Sequence, residues 1–394
     1  MSADRFDDLA VVLSGGGARA AYQVGVLAAL AEKVPELRIP IITGVSAGAI
    51  NAAFLAAHRG PFSQAVQELR GQWLRLTADQ VYSLPARGVI ASFLRMIGST
   101  ARRIARRQGK AVVRGLLDMR PLARFLQNCI DFDGIDENVK RGYLRALALS
   151  ATSYNTGQTV TFVHGAPDLV MWERAQRIAV RTKITLAHVM ASSAIPIIFP
   201  AVRLDGTFYG DGSVRLTAPL APAIHLGAGR IVAIAMRSNF VSPRDAVTSG
   251  EYPSAAALGG LLLHSVFLDA LDADLERLER VNRLLRALPP GTPPPDNLRP
   301  VDIAVVRPSR DLGALARGYW PRLPLLMDLF VRGIGMDQER GADFLSYLLF
   351  EPEYTGLLIE LGHQDALENW DTLARLIEGG STEQLKPTAR GLGR

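Results

Sequence analysis

The residues best suited to chemistry sit in three turns built from small side chains. Gly44-Val45-Ser46-Ala47-Gly48 is a G-x-S-x-G sequence. Chemistry needs small residues there because the turn is sharp enough for larger ones to clash. It lifts a serine hydroxyl above a strand end, where it can act as a nucleophile. A helix that follows also directs its positive end at charge developing near that oxygen. Ser14-Gly15-Gly16-Gly17-Ala18-Arg19 is the second turn. Consecutive glycines leave backbone N–H groups unshielded at a helix start, a cradle for either a phosphate or the oxyanion of acyl transfer. A serine nucleophile needs a base. Six histidines are available (His58, His164, His188, His225, His264 and His363), but none has a setting as telling as Asp211, between Gly210 and Gly212. Most Asp-Gly pairs are plain β-turns, and Asp205-Gly206 is read as one.

The elements around these turns decide between readings. Residues 9–14 form a short β-branched run and 18–33 an amphipathic helix ended by Pro35; residues 39–43 form a second run and 49–59 a second helix. Strand–helix–strand–helix at this spacing predicts a parallel sheet covered by helices. The expected fold class is thus α/β, a three-layer α/β/α core with a mainly parallel sheet. Gly15-x-Gly17-x-x-Ala20 also fits a dinucleotide fingerprint, which requires an acid at the end of the second strand. Glu32 and Glu36 precede that strand, and its end reads Thr43-Gly44-Val45-Ser46, so the nucleotide reading fails. Further strands are expected at 145–153, 159–164, 230–235 and 301–306, with a hairpin over 197–209 turning at Asp205-Gly206. Helices are expected over about 70–124, 258–288 and most of 338–376. The domain reading is a catalytic unit over 8–240, interrupted by a helical insertion at about 70–124. A mainly helical extension follows over 250–394, whose strand 301–306 can return to the core.

Together the three turns resemble the patatin-like phospholipase family, whose pattern runs from a glycine-rich loop with an arginine to a G-x-S-x-G elbow and a distant D-G-G/A. Here these are Gly15-Gly16-Gly17-Ala18-Arg19, Gly44-Val45-Ser46-Ala47-Gly48 and Asp211-Gly212-Ser213; Ala191-Ser192-Ser193-Ala194-Ile195-Pro196 also resembles the family's approach to its aspartate. The motifs span about residues 9–235. Ala20 stands where many members have glycine, and Ser213 replaces the last residue of D-G-G/A. The resemblance implies a Ser46–Asp211 dyad without histidine, with the oxyanion held by backbone N–H groups of the Gly15–Gly17 loop and Ala18. Arg19, Gly44, Gly48 and Gly212 support the site; Arg19 holds the loop in shape or meets a lipid phosphate, the first being favoured. The implied reaction is hydrolysis of fatty acyl esters of lipids or phospholipids. Two alternatives stay open. One is a Ser–Asp–His esterase drawing on His225, His264 or His363, though Ser46 comes too early in the chain for that fold. The other is a catalytically silent lipid-binding or membrane-surface scaffold.

Composition bounds the setting. Of 394 residues, 48% are hydrophobic and 21% charged, a globular balance. Cys129 stands alone, excluding an internal disulfide, and no His/Cys/acid cluster has metal-ligand spacing; neither metal nor cofactor is expected. The acidic N-terminus lacks the pattern of a secretion signal, and no apolar run reaches ~18 residues, so a cytoplasmic protein is expected, able to sit peripherally on a membrane. Net charge is +6, but residues 87–124 hold ten bases against one acid, leaving the rest slightly acidic. Arg102, Arg103, Arg106 and Arg107 lie opposite an apolar face of a predicted helix, which suggests contact with an anionic membrane; the plainer reading is a packed helix with a solvated arginine face. Nothing resembles a nucleic-acid motif. Leu271, Leu278 and Leu285 recur at heptad spacing, read as core packing ahead of a dimer seam, and the oligomeric state stays open.

Overall fold

The computed structural model describes residues 5–83, 115–238, 270–322 and 342–380. Its first units follow directly from the apolar runs. Strand β1 (Leu9–Leu13) leads through a 3₁₀ turn (Gly17–Ala20) into helix α1 (Ala21–Lys33), and β2 (Ile41–Val45) leads into α2 (Ala47–Ala57). Strand β2 starts two residues later than expected. Pro40 has no N–H to donate, and its carbonyl instead accepts from Arg145 and Ala146. Helix α2 starts two residues earlier, so Ser46 alone makes the turn.

The helical stretch that follows comprises α3 (Phe62–Trp73), α4 (Ala78–Val81), α5 (Arg120–Cys129) and α6 (Asp133–Lys140). The arginines 102, 103, 106 and 107 and their expected helix lie outside the described residues. Strands β3 (Ala146–Ser153) and β4 (Thr159–Gly165) come next, then the short pair β5 (Glu173–Arg174) and β6 (Arg177–Arg181). Helix α7 (Leu186–Ser192) precedes the hairpin of β7 (Val202–Leu204) and β8 (Thr207–Asp211), whose turn places Asp205 and Gly206 at φ 46° and 84°. Helix α8 (Ala221–His225) and β9 (Arg230–Ile234) follow. The C-terminal part holds α9 (Ala270–Arg286), β10 (Asp302–Val306), α10 (Leu312–Ala316), α11 (Ala342–Leu348), α12 (Pro352–Glu368) and α13 (Trp370–Ile377).

The ten strands of the described residues form one sheet, ordered β10-β9-β1-β2-β3-β4-β6-β5, with β8 on β3 and β7 on β8. From β10 to β3 every neighbour pair is parallel; β4 and β8 run antiparallel to β3. Side chains alternate between two cores as strand geometry requires. Val11, Leu13, Ile42, Leu147, Leu149, Val232 and Ile234 face one core, which includes residues of α1, α2, α3 and α12. Ala10, Val12, Ile41, Ala146, Ala148, Ile231 and Ala233 face the other, with residues of α8 and α9. This is a three-layer α/β/α arrangement. Leu271 and Leu278 lie in the second core, so the heptad-spaced leucines pack inward; Leu285 is half-buried. Residues of α12 and α13 belong to the first core, and the Tyr22 hydroxyl on α1 donates to Asp365 of α12 at 2.8 Å.

Candidate active site

Sheet register brings the two distant motifs together. Strand β2 ends with Val45 opposite Ser150 of β3. Strand β8 runs the other way and ends with Asp211 opposite Ala151, the next residue of β3. The two strands therefore meet head-on beside β3, with Ser46 and Asp211 at the junction. Close approach is possible because Gly212 carries no side chain: a Cβ there would stand 2.2 Å from the Ser150 carbonyl oxygen and 2.7 Å from Val45 Cγ2.

Ser46 adopts φ 57° and ψ −132°, a strained conformation for a non-glycine residue. Two serines hold it there. The Ser46 N–H donates to Ser192 Oγ (3.1 Å), and Ser193 Oγ donates to the Ser46 carbonyl (3.0 Å). Ser192 Oγ itself donates to the Ser150 carbonyl at 2.6 Å, tying the elbow to β3. Gly44 ends inside β2, and Gly48, in the first turn of α2, lies against the end of β1.

Asp211 is completely buried. Its backbone N–H donates to the Ala194 carbonyl (2.8 Å), and its carbonyl accepts from Thr152 Oγ1 (2.8 Å). The carboxylate accepts the Ser213 N–H at Oδ1 (2.9 Å), while Oδ2 has no partner within hydrogen-bond geometry among the described residues. Burial pushes the Asp211 pKa up to about 6. The nearby Ser46 and Ser213 hydroxyls and the Ser213 N–H hold that rise back. A carboxylate so placed can accept a proton near neutral pH far better than a solvated one.

The glycine loop joins this site from β1. Gly15, Gly16, Gly17 and Ala18 are buried, and Gly17 shares a wall of the slot described below with Ser46. Gly17 has φ 56°, and a Cβ on it would fall 2.2 Å from the Tyr347 carbonyl oxygen, so α11 lies directly on the loop. Arg19 is 2% exposed and turned away from Ser46. Its guanidinium donates to Ser346 Oγ (2.7 Å) and the Asp343 carbonyl (3.1 Å), pairs with the Asp343 carboxylate, and stacks over the Tyr347 ring. The arginine thus ties the loop to α11. Behind the loop, Gln23 donates to the Ser14 carbonyl, Asn51 to Gln23, and Trp73 to Asn51, at 2.7–2.9 Å, linking the loop with α1, α2 and α3.

The described histidines are engaged elsewhere. His225 stacks on Trp172, His363 bonds Glu32, His164 bonds Asp136, His58 pairs with Glu68, and His188 caps its own helix at Thr185. His264 lies outside the described residues. Among the described residues no group of His, Cys, Asp and Glu could hold a metal ion, and no helix is long and apolar enough to cross a membrane.

From Ser46 a narrow, largely enclosed apolar slot of about 50 Å³ runs into the protein. Its walls include residues of α2, α3 and α5, Tyr347 and Leu348 at the end of α11, and Phe350 just after it. The clamp of Ser192 and Ser193 has one sequence signal, the small-residue run 191–196. Thr152 has none, and neither has the role of Tyr347 and Phe350 in the slot, since both arrive from more than 300 residues away.

This fold and site define a class. The chain belongs to the patatin-like phospholipase family, whose profile matches residues 11–224, more than half of its length. Among solved structures it resembles VipD from Legionella pneumophila, at 13% identity and a TM-score of 0.35, covering 93% of this chain and 67% of that one. It also resembles human GIVD cytosolic phospholipase A2 in complex with methyl gamma-linolenyl fluorophosphonate, at 13% identity and a TM-score of 0.44, covering 96% and 59%. The chain spans about three fifths to two thirds of the length of these two structures. No curated protein matches its sequence.

Proposed function

We propose that the protein hydrolyses fatty acyl esters of lipids through an acyl-Ser46 intermediate, with Asp211 as the general base. The observation that carries this reading is the head-on meeting of β2 and β8, which sets a strained serine beside a buried carboxylate of raised basicity. Asp211 takes the Ser46 proton as Oγ forms a bond to the ester carbonyl carbon. Negative charge on the carbonyl oxygen is met by backbone N–H groups of the Gly15–Gly17 loop and Ala18, and by the positive end of α2. The bond to the alcohol then breaks, and the alcohol leaves with the proton from Asp211. Water repeats the sequence on the acyl-serine, returning its proton through Asp211 and releasing the fatty acid. The apolar slot beside Ser46 supports a long hydrocarbon acyl group in preference to a polar one.

A fluorophosphonate probe tests this directly. Wild type should be labelled, Ser46→Ala should lose labelling completely, and Asp211→Asn should retain only a trace. Wild type left unlabelled even with lipid vesicles present would overturn the reading in favour of a lipid-binding protein without turnover.

A further inference from the structure

The slot has a defined far end. Ser46, at the start of α2, and Ala47, Ile50 and Phe54 on it line the slot. Phe54, Cys129 and Ile130 close it, and the same three residues line a separate pocket on the other side. That outer pocket mixes charged and apolar side chains. Arg59 there is paired with Asp131 at 2.6 Å and with Glu137 at 2.8 Å, and His58 with Glu68 at 3.3 Å. A hydrocarbon tail that pushed past the wall would meet these paired charges among the apolar side chains, and burying it there would gain less than in the slot. Phe54 and Ile130 are buried, so the wall is packed rather than a loose flap.

Resting on the hydrolase reading above, we propose that Phe54, backed by Cys129 and Ile130, sets the length of the acyl chain this protein accepts. Phe54 follows Ser46 by eight residues, which along a helix is about 12 Å. An extended chain advances roughly 1.2 Å per bond, as a polypeptide does over its three bonds per residue, so the slot takes about ten bonds. The best substrates therefore carry acyl chains of about ten to twelve carbons by that estimate. Ile50, one turn from Ser46, marks the halfway point, about 6 Å along.

Hydrolysis of p-nitrophenyl esters with four to eighteen carbons, by wild type, Phe54→Ala and Ile50→Phe, tests the ruler. In wild type kcat/KM should peak near ten to twelve carbons. Phe54→Ala should raise the sixteen- to ten-carbon ratio by at least about tenfold, since a methylene gained or lost in an apolar pocket is worth ~10–200-fold. Ile50→Phe should move the optimum to six carbons or fewer. Turnover with the same optimum in all three proteins would overturn the ruler and leave the hydrolase reading standing. Calorimetric binding of free fatty acids to Ser46→Ala, with and without Phe54→Ala, reads the slot without chemistry. A length optimum there that shifts with Phe54, beside wild type that turns over no ester, would keep the ruler and overturn the hydrolase.

Discussion

A buried carboxylate with nothing bonded to one oxygen costs stability, and the pH dependence of that cost can be stated. Asp211 titrates near 6 in the folded protein, against 3.8 for an ordinary aspartate. Between those values the folded state binds more protons than the unfolded one, so stability falls as pH rises through that window. The fall amounts to about 3 kcal/mol, complete above pH 6. Asp211→Asn removes the charge and with it the fall. Urea titrations should show variant and wild type alike near pH 4 and the variant more stable by about 3 kcal/mol at pH 8. The catalytic form moves oppositely: kcat/KM of wild type should rise with pH through about 6 as the base loses its proton. On the proposed mechanism, the ionised base carries a cost in stability at the pH where it acts. Ser46 adds to this through its strained backbone, held by Ser192 and Ser193.

At the scale of elements, the glycine loop depends on a helix more than 300 residues later in sequence. Arg19 is the link, buried and held by Asp343, Ser346 and Tyr347 of α11. Asp343 is 37% exposed and keeps some water, so its partner's removal costs less than in a fully buried pair. Arg19→Ala should lower the unfolding free energy by about 2–4 kcal/mol, and Arg19→Lys should recover only part, because an ammonium lacks the fork that reaches both groups. Denaturant titration of the three proteins checks this. An unchanged midpoint in Arg19→Ala would mean that α11 holds the loop by packing alone. The β2–α2 elbow, the β7–β8 hairpin and the turn at Asp205-Gly206 were legible in sequence, since each rests on local backbone demands of glycine and β-branched residues. The boundary at Pro40 was missed because the missing donor matters only once β3 is alongside.

For the whole molecule, charge asymmetry gives a prediction that sequence alone supports. Residues 87–124 hold ten bases against one acid. Replacing Arg102, Arg103, Arg106 and Arg107 by serine should weaken binding to anionic vesicles by about 10² or more, at ~1 kcal/mol for each basic group near such a surface. Raising the salt should shrink the difference. Equal co-sedimentation of variant and wild type would remove this segment as a membrane contact. Arg230 on β9 also joins distant parts of the chain, donating to Asp8 ahead of β1 (2.8 Å) and to the Ile377 carbonyl of α13 (2.7 Å).

The sequence by itself determined the local chemistry of this protein: which serine sits on an elbow, which glycines precede it, and which aspartate ends a hairpin strand. These are short-range facts, set by what a backbone turn tolerates within a few residues. The tertiary structure decided the rest. The head-on meeting of β2 and β8 depends on the register of β3, and register is set by which faces of three separate strands must be buried together. The raised basicity of Asp211 depends on the loss of water around it, a property of the assembled core and not of any motif. The slot and its end wall join residues of α2 and α5 with others at and just after the end of α11, brought together by packing over distances no local pattern spans.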